Sequence, residues 1–191
     1  MIFQYTWKKV LSGEKTQTRR IVKPGQEYAG ALLHDIPYVY RRTGIAGMTK
    51  IYEVGKTYAV QPGRGKQTVY TRWSDMTGTG SEVLQQNYSP ELANWGWKPA
   101  RIHILRMRRE DVRCISEEDA KAEGCPSQFY FWDTWIKMYD PNAEDGIAIE
   151  FANSSDDQLF DMDHVKKLYN RVLASRPIHR YQAWVLEFER A

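Results

Sequence analysis

The chain has 191 residues and a formal net charge of +3 at pH 7, with 42% hydrophobic, 27% charged and 13% aromatic residues. That length most simply makes one domain, with a core that needs neither disulfides nor a metal. Two cysteines, Cys114 and Cys125, exclude a disulfide framework, and the small net charge excludes a bulk polycation.

Met1–Trp7 lacks the charged start and apolar run of a secretory leader, and no segment approaches roughly 18 consecutive apolar residues. A soluble, cytoplasmic protein with no membrane partner is expected. Thr6 is placed to cap a short helix through Leu11, and Gly13 to close it. "QTRRIV" then reads as a strand, with Thr16, Thr18 and Arg20 on one face and Gln17 and Arg19 on the other. Residues 24–56, rich in Gly and Tyr, read as an irregular insertion. "TYAVQPGRGK" reads as a strand entering a Pro-Gly turn, and "TVYTRW" as its hairpin partner. Residues 75–97 read as a second insertion. "RIHILRMRREDVRCI" predicts one long strand or two. In "ISEEDAKAEG", Ser116 is an N-cap candidate, Glu117, Glu118 and Asp119 suit the first turn, Ile115 can pack on Ala120, and Gly124 stops the helix. "FYFWDTWIKMYD" places Phe129, Trp132, Trp135, Ile136 and Tyr139 at helical spacing. Residues 140–163 read as an acidic loop or a third insertion. "VKKLYNRVLAS" predicts a helix and "YQAWVLEFER" a final strand. The fold class is therefore α+β, centred on a barrel-like sheet with short helices.

Charge is unevenly spread. Residues 8–23 carry Lys8, Lys9, Lys15, Arg19, Arg20 and Lys23 against Glu14 alone, whereas residues 140–163 hold eight acids and no Lys or Arg. A second basic run, 98–113, includes Arg101, Arg106, Arg108, Arg109 and Arg113. Such polarity suits either a solvated surface or a basic face for an anionic partner. Some of the seven Trp and twelve Tyr could serve as platforms for stacked bases, although core packing accounts for most. Glu123 stands out at the C-terminal end of its short helix. A carboxylate there opposes the helix dipole, at a cost of roughly 0.3–1 kcal/mol, so it is either solvated or held by a cation.

"GEKTQTRR" and "ISEEDAKAEG" together resemble the ASCH family of the PUA-like superfamily. Gly13, Lys15, Thr18 and Arg20 match its Gly-x-Lys-x-x-[Glu or Thr]-x-Arg motif, and Ile115 to Gly124 matches its short capped helix. The "PGRGK" turn and the closing "WVLEFER" strand are also in keeping. The resemblance touches about a third of the residues, in the size class of the longer phage and prophage members. It implies a PUA-like β-barrel and, because position 18 is Thr, the branch of amidohydrolases that cleave N4-acetylcytidine and related N4-acylated cytosines. Carried over by position, the catalytic residues are Lys15, Thr18 and Glu123. Arg20, Arg19 and Arg64 are the candidate substrate-binding residues on their own chemistry, and no cofactor or metal is expected.

That chemistry is sensible for these side chains. A threonine hydroxyl attacks a carbonyl only when a base takes its proton. Lys15 can be that base where burial, or a cation such as Arg19 or Arg20, favours its free amine. Glu123 can orient Lys15 or protonate the departing ring amine, and Arg20 can hold a carbonyl or an oxyanion. A non-catalytic RNA-binding module, or a ribonuclease, is the competing expectation. The expected partner is thus a modified pyrimidine nucleoside or base, or RNA. His34, His103, His164 and His179 show no zinc spacing. Asp156, Asp157, Asp161 and Asp163 suit a solvated loop better than an ion site. "PGRGK" lacks the Ser/Thr of a P-loop, which leaves a basic hairpin tip or a phosphate contact.

Overall fold

The computed structural model describes residues 1, 6–30, 36–43, 47–63, 67–73, 81–155, 158 and 161–191. It is mixed α+β: ten strands, paired antiparallel where their registers are resolved, make one four-stranded and two three-stranded sheets, and the helices are short. The sheet orders show no closed barrel among the described residues. The chain divides into two compact units. The first comprises Met1–Thr18, Gly25–Met107 and Leu186–Ala191; the second comprises Arg19–Pro24 and Arg108–Val185.

In the first unit, α1 (Trp7–Ser12) ends at Gly13, whose φ of 82° is the left-handed conformation that glycine adopts without a Cβ penalty. Thr6 precedes it, but its side chain makes no capping bond. Val10 of α1 packs with Val60, Val69, Ala100, Ile102 and Phe188 in the core of this unit. The described part of 24–56 is not irregular: β2 (Gln26–Ala29), β3 (Tyr38–Thr43) and β4 (Gly47–Glu53) form an antiparallel sheet, with Val39 fully buried. Tyr, Val, Ile and Thr supply the β preference there. The expected hairpin is also corrected. β5 (Thr57–Ala59) pairs with β9 (Arg101–Asp111), whereas β6 (Gln67–Trp73) pairs with β7 (Ser81–Asn87) and β8 (Lys98–Pro99). Val69 of β6 still donates its N–H to the Val60 carbonyl at 3.0 Å. Much of 75–97 is therefore structured, as β7 and the 3-10 helix Pro90–Trp95.

The largest sheet has the order β1-β10-β9-β5, where β1 is Gln17–Ile21 and β10 is Gln182–Arg190. β9 is one unbroken strand of eleven residues. Val185 and Leu186 in β10 are both fully buried, so that strand is covered on both faces at its centre.

In the second unit, Ser116 accepts the Asp119 N–H at 3.0 Å and opens α2 (Glu117–Ala122). Ser127 likewise caps α3 (Gln128–Tyr139), which buries Phe131, Trp132, Trp135 and Ile136. Trp132 donates its indole N–H to the Val112 carbonyl at 3.0 Å, and Gln128 donates its amide to the Ile115 carbonyl. The acidic stretch 140–163 is largely helical rather than a loop. Pro141 starts α4 (Pro141–Ala152), which buries Ala143 and Ile147, and Asp161 caps α5 (Met162–Ala174). Pro suits a first helical position because its missing N–H has no helical partner there anyway. Asp140, just before α4, is fully buried. It accepts from Arg176 through both oxygens (2.9 and 2.8 Å), from Arg180 at 2.8 Å and from the Tyr181 hydroxyl at 2.8 Å. No helix among the described residues is long and apolar enough to cross a membrane.

Candidate active site

The two motif segments carry buried polar side chains where a solvated surface would expose them. Among the described residues, the buried polar or charged set is Lys15, Thr18, Arg19, Glu53, Thr68, Glu123, Gln128 and Asp140. Four of these eight belong to "GEKTQTRR" and "ISEEDAKAEG". Charged groups are rarely buried without a partner, so their burial here is informative.

Lys15 and Thr18 lie in the first unit. Gly13 turns the chain out of α1, and the Lys15 N–H then donates to the Lys9 carbonyl at 3.0 Å. That short return sets Lys15 just before β1, where it is only 5% exposed. Thr16 accepts the Phe188 N–H at 2.9 Å, which fixes the entry to the strand. Thr18 follows on β1, also buried. The alternation expected for "QTRRIV" therefore does not separate a dry face from a wet one, because Thr18 and Arg19 are buried on opposite faces.

Arg19 and Glu123 lie in the second unit, and they meet there. Arg19 has a fully buried side chain and donates in three directions. Its Nε and Nη2 reach Glu110 Oε1 at 3.3 and 2.9 Å, Nη2 also reaches Asp119 Oδ2 at 2.9 Å, and Nη1 reaches Glu123 Oε1 at 3.3 Å. Burial alone disfavours the charged guanidinium. The charges of Glu123, Glu110 and Asp119 outweigh that and hold its pKa above the ordinary arginine value. A cation that holds Glu123 at the C-terminal end of α2 is thus Arg19.

Arg108 completes the arrangement from β9. It donates Nε to Glu110 Oε2 at 3.2 Å and Nη2 to Asp119 Oδ2 at 2.9 Å. Glu110 and Asp119 each bridge both arginines, so the four side chains close a ring of alternating charge, and Glu123 is attached to its buried corner. The aromatic face of Phe131 lies 5.7 Å from the Arg19 guanidinium and walls that corner.

Arg19 donates to three carboxylates, those of Glu110, Asp119 and Glu123. Arg20 is half-buried on β1. Arg64 lies outside the described residues, as do His34, Asp156 and Asp157. Asp161 and Asp163 belong to the start of α5, where Asp161 accepts the Asp163 N–H at 2.9 Å. Glu110, Asp119 and Arg108 were not singled out from the sequence. Two spacings pointed to them: Arg108 and Glu110 are two apart on a strand, and Asp119 and Glu123 are four apart across a helical turn, so each pair shares a face.

No family model matches this sequence, and comparison with curated proteins and with solved structures likewise gives no match.

Proposed function

We propose that the chain is an ASCH domain of the PUA-like type that hydrolyses the N4-acyl amide of an acylated cytosine or cytidine. The observation that carries this reading is the burial of Lys15, Thr18 and Glu123, at 5%, 5% and 6% exposure, within the two segments that resemble the family. A lysine, a threonine and a glutamate left at a surface would have no reason to be desolvated. A nucleophile and its base need to be.

In this reading the Thr18 hydroxyl attacks the acyl carbonyl while Lys15 takes its proton. The bond from the carbonyl carbon to N4 breaks, and the proton passes to the departing N4 amine. Water then cleaves the threonine ester, releasing the carboxylic acid. Arg20 is assigned to the cytosine carbonyl or the oxyanion. Glu123, gripped by Arg19, is assigned to orienting the lysine amine. The reaction needs no cofactor.

Incubating the purified protein with N4-acetylcytidine tests the proposal. Cytidine and acetate should appear in equal amounts, and Lys15→Ala should abolish both. An N4-acylated cytosine panel left intact at high enzyme concentration would overturn it.

A further inference from the structure

We propose that the cavity between α4 and α5 binds a small organic oxyanion, a carboxylate or a phosphate, on the guanidinium of Arg176. This is independent of the hydrolase reading.

Charge comes first. Asp140 is the single acid of its hub, yet Arg176 and Arg180 both pair with it. The remaining donor, Tyr181, is neutral, because burial and then its bond to Asp140 raise its hydroxyl pKa above the ordinary tyrosine value. Among the described residues, neither arginine has a second acidic partner. Two cations therefore share one anion. The excess charge is partly withdrawn from water, since the arginine side chains are 24% and 36% exposed and that of Asp140 is 0% exposed. A partly desolvated charge without a counter-ion is unfavourable, and an anion from outside offsets that cost.

Geometry supplies the seat. Arg176 turns Nε and Nη2 toward Asp140 at 2.9 and 2.8 Å. A guanidinium has five N–H groups, so Nη1 and the outer hydrogen of Nη2 remain. Together they form an end-on fork that matches two oxygens of one carboxylate or phosphate. The two bonds to a buried carboxylate hold that fork still, so a ligand need not order it. A lysine has no such fork.

Arg176 lines a cavity of about 360 Å³ together with Arg171, Asn142, Ile149 and Val172. Small-molecule sites span roughly 300–1,000 Å³. Arg171 adds a cation and Asn142 an amide. Ile149, 63% exposed, and Val172 offer an apolar wall for the body of the ligand. Glu150 is the one acid lining the cavity among the described residues, and Arg171 matches it at 3.0 Å. Gly146 keeps the two helices close: a Cβ there would meet Val172 Cγ1 at 3.2 Å.

Thermal unfolding and two-dimensional amide NMR of the full chain test the proposal. The probes are phosphate, phenyl phosphate, acetate and benzoate, against sodium chloride at matched ionic strength. At about 10 mM, a probe with a Kd of about 1 mM should raise Tm by roughly 3–6 °C. The amide signals of Asn142, Gly146 and residues 171–176 should move with it. A response to the phosphates alone identifies a phosphate ligand, and a response to acetate and benzoate alone a carboxylate; either supports the site. Arg176→Lys should weaken binding at least about tenfold. Glu150→Gln, which removes a like charge and releases Arg171, should tighten it about three- to tenfold, and it decides the matter if Arg176→Lys folds poorly. The proposal is overturned if no probe raises Tm beyond the chloride reference, or if the signals that move lie outside α4 and α5. Unchanged affinity in Glu150→Gln, or in a folded Arg176→Lys, overturns it equally.

Discussion

Asp140→Asn is the sharpest test of the energetics of the second unit. The carboxylate receives four donated bonds, two from Arg176, one from Arg180 and one from Tyr181, and has no solvent exposure. Hydrogen bonding by Arg176 is the largest influence on its pKa. Burial opposes it, but Tyr181 and the charges of Arg176 and Arg180 add to it, and the value falls from 3.8 to about 2. Asparagine keeps one acceptor and turns an NH2 toward two of the donors. Each bond to a charged group is worth about 1.5–3 kcal/mol and two are lost. Arg176 and Arg180 are 24% and 36% exposed and can rehydrate, so the lower end applies, about 3 kcal/mol. At roughly 2–4 °C per kcal/mol for a chain of this size, Tm should drop by about 6–12 °C. Urea unfolding followed by tryptophan fluorescence is the assay, because Trp132 and Trp135 share the core with Tyr181. The pH dependence has a definite sign. A carboxylate with a depressed folded pKa contributes its stability above pH 4, and that contribution is lost as pH falls toward 2. From 3.8 to about 2, at about 1.4 kcal/mol per tenfold change in proton affinity, roughly 2 kcal/mol of the difference between wild type and variant should disappear between pH 4 and pH 2. A variant within about 0.5 kcal/mol of wild type at pH 7, or a difference that does not shrink in acid, would refute the reasoning.

Three other outcomes are expected. Lys15→Ala, Thr18→Val and Glu123→Gln should each cut turnover of an acyl cytosine by about 10²–10⁴-fold, with the triple variant scarcely worse than the worst single one; Thr18→Val and Glu123→Gln forms as fast as wild type would remove the catalytic assignment. Ser116→Ala should destabilise by about 1 kcal/mol through loss of the cap on α2, read by urea midpoint. If the chain binds single-stranded RNA through its arginines, the affinity measured by fluorescence anisotropy should fall at least roughly tenfold from 50 to 200 mM salt, and a salt-independent affinity would argue against that mode.

Local signals made the long elements legible. Ser116 and Gly124 bracket α2 in the sequence as they do in the structure, and Trp132, Trp135 and Ile136 announce the buried face of α3 by spacing alone. Phe131, which that spacing does not mark, widens the buried face beyond the simplest stripe. What stayed hidden depends on distant partners. α4 buries only Ala143 and Ile147 and carries Gly146 and three acids, so its composition resembles a loop; it is fastened at Asp140 by groups 36 to 41 residues away. β2, β3 and β4 were obscured by glycine and by alternation that pairing makes visible only once the register is known. At the candidate site, Lys15, Thr18 and Glu123 were readable as a motif. Their burial was not, and neither was the identity of the cation beside Glu123, because Arg19 comes from 104 residues earlier.

The segment composition of the two units sets an order on synthesis. The first unit takes its core from Val10, Val60, Val69, Ala100, Ile102 and Phe188. A ribosome delivers five of those side chains well before the sixth, Phe188. The N-terminal half must therefore wait with an open apolar seam while residues 108–185, nearly the whole of the second unit, emerge and can collapse first. At about 5–20 residues per second, the 88 positions from Ala100 to Phe188 mean roughly 4–18 s of exposure. That interval is long against the microsecond-to-second folding of small domains, so the substitution Phe188→Ala should harm the first unit more than the second.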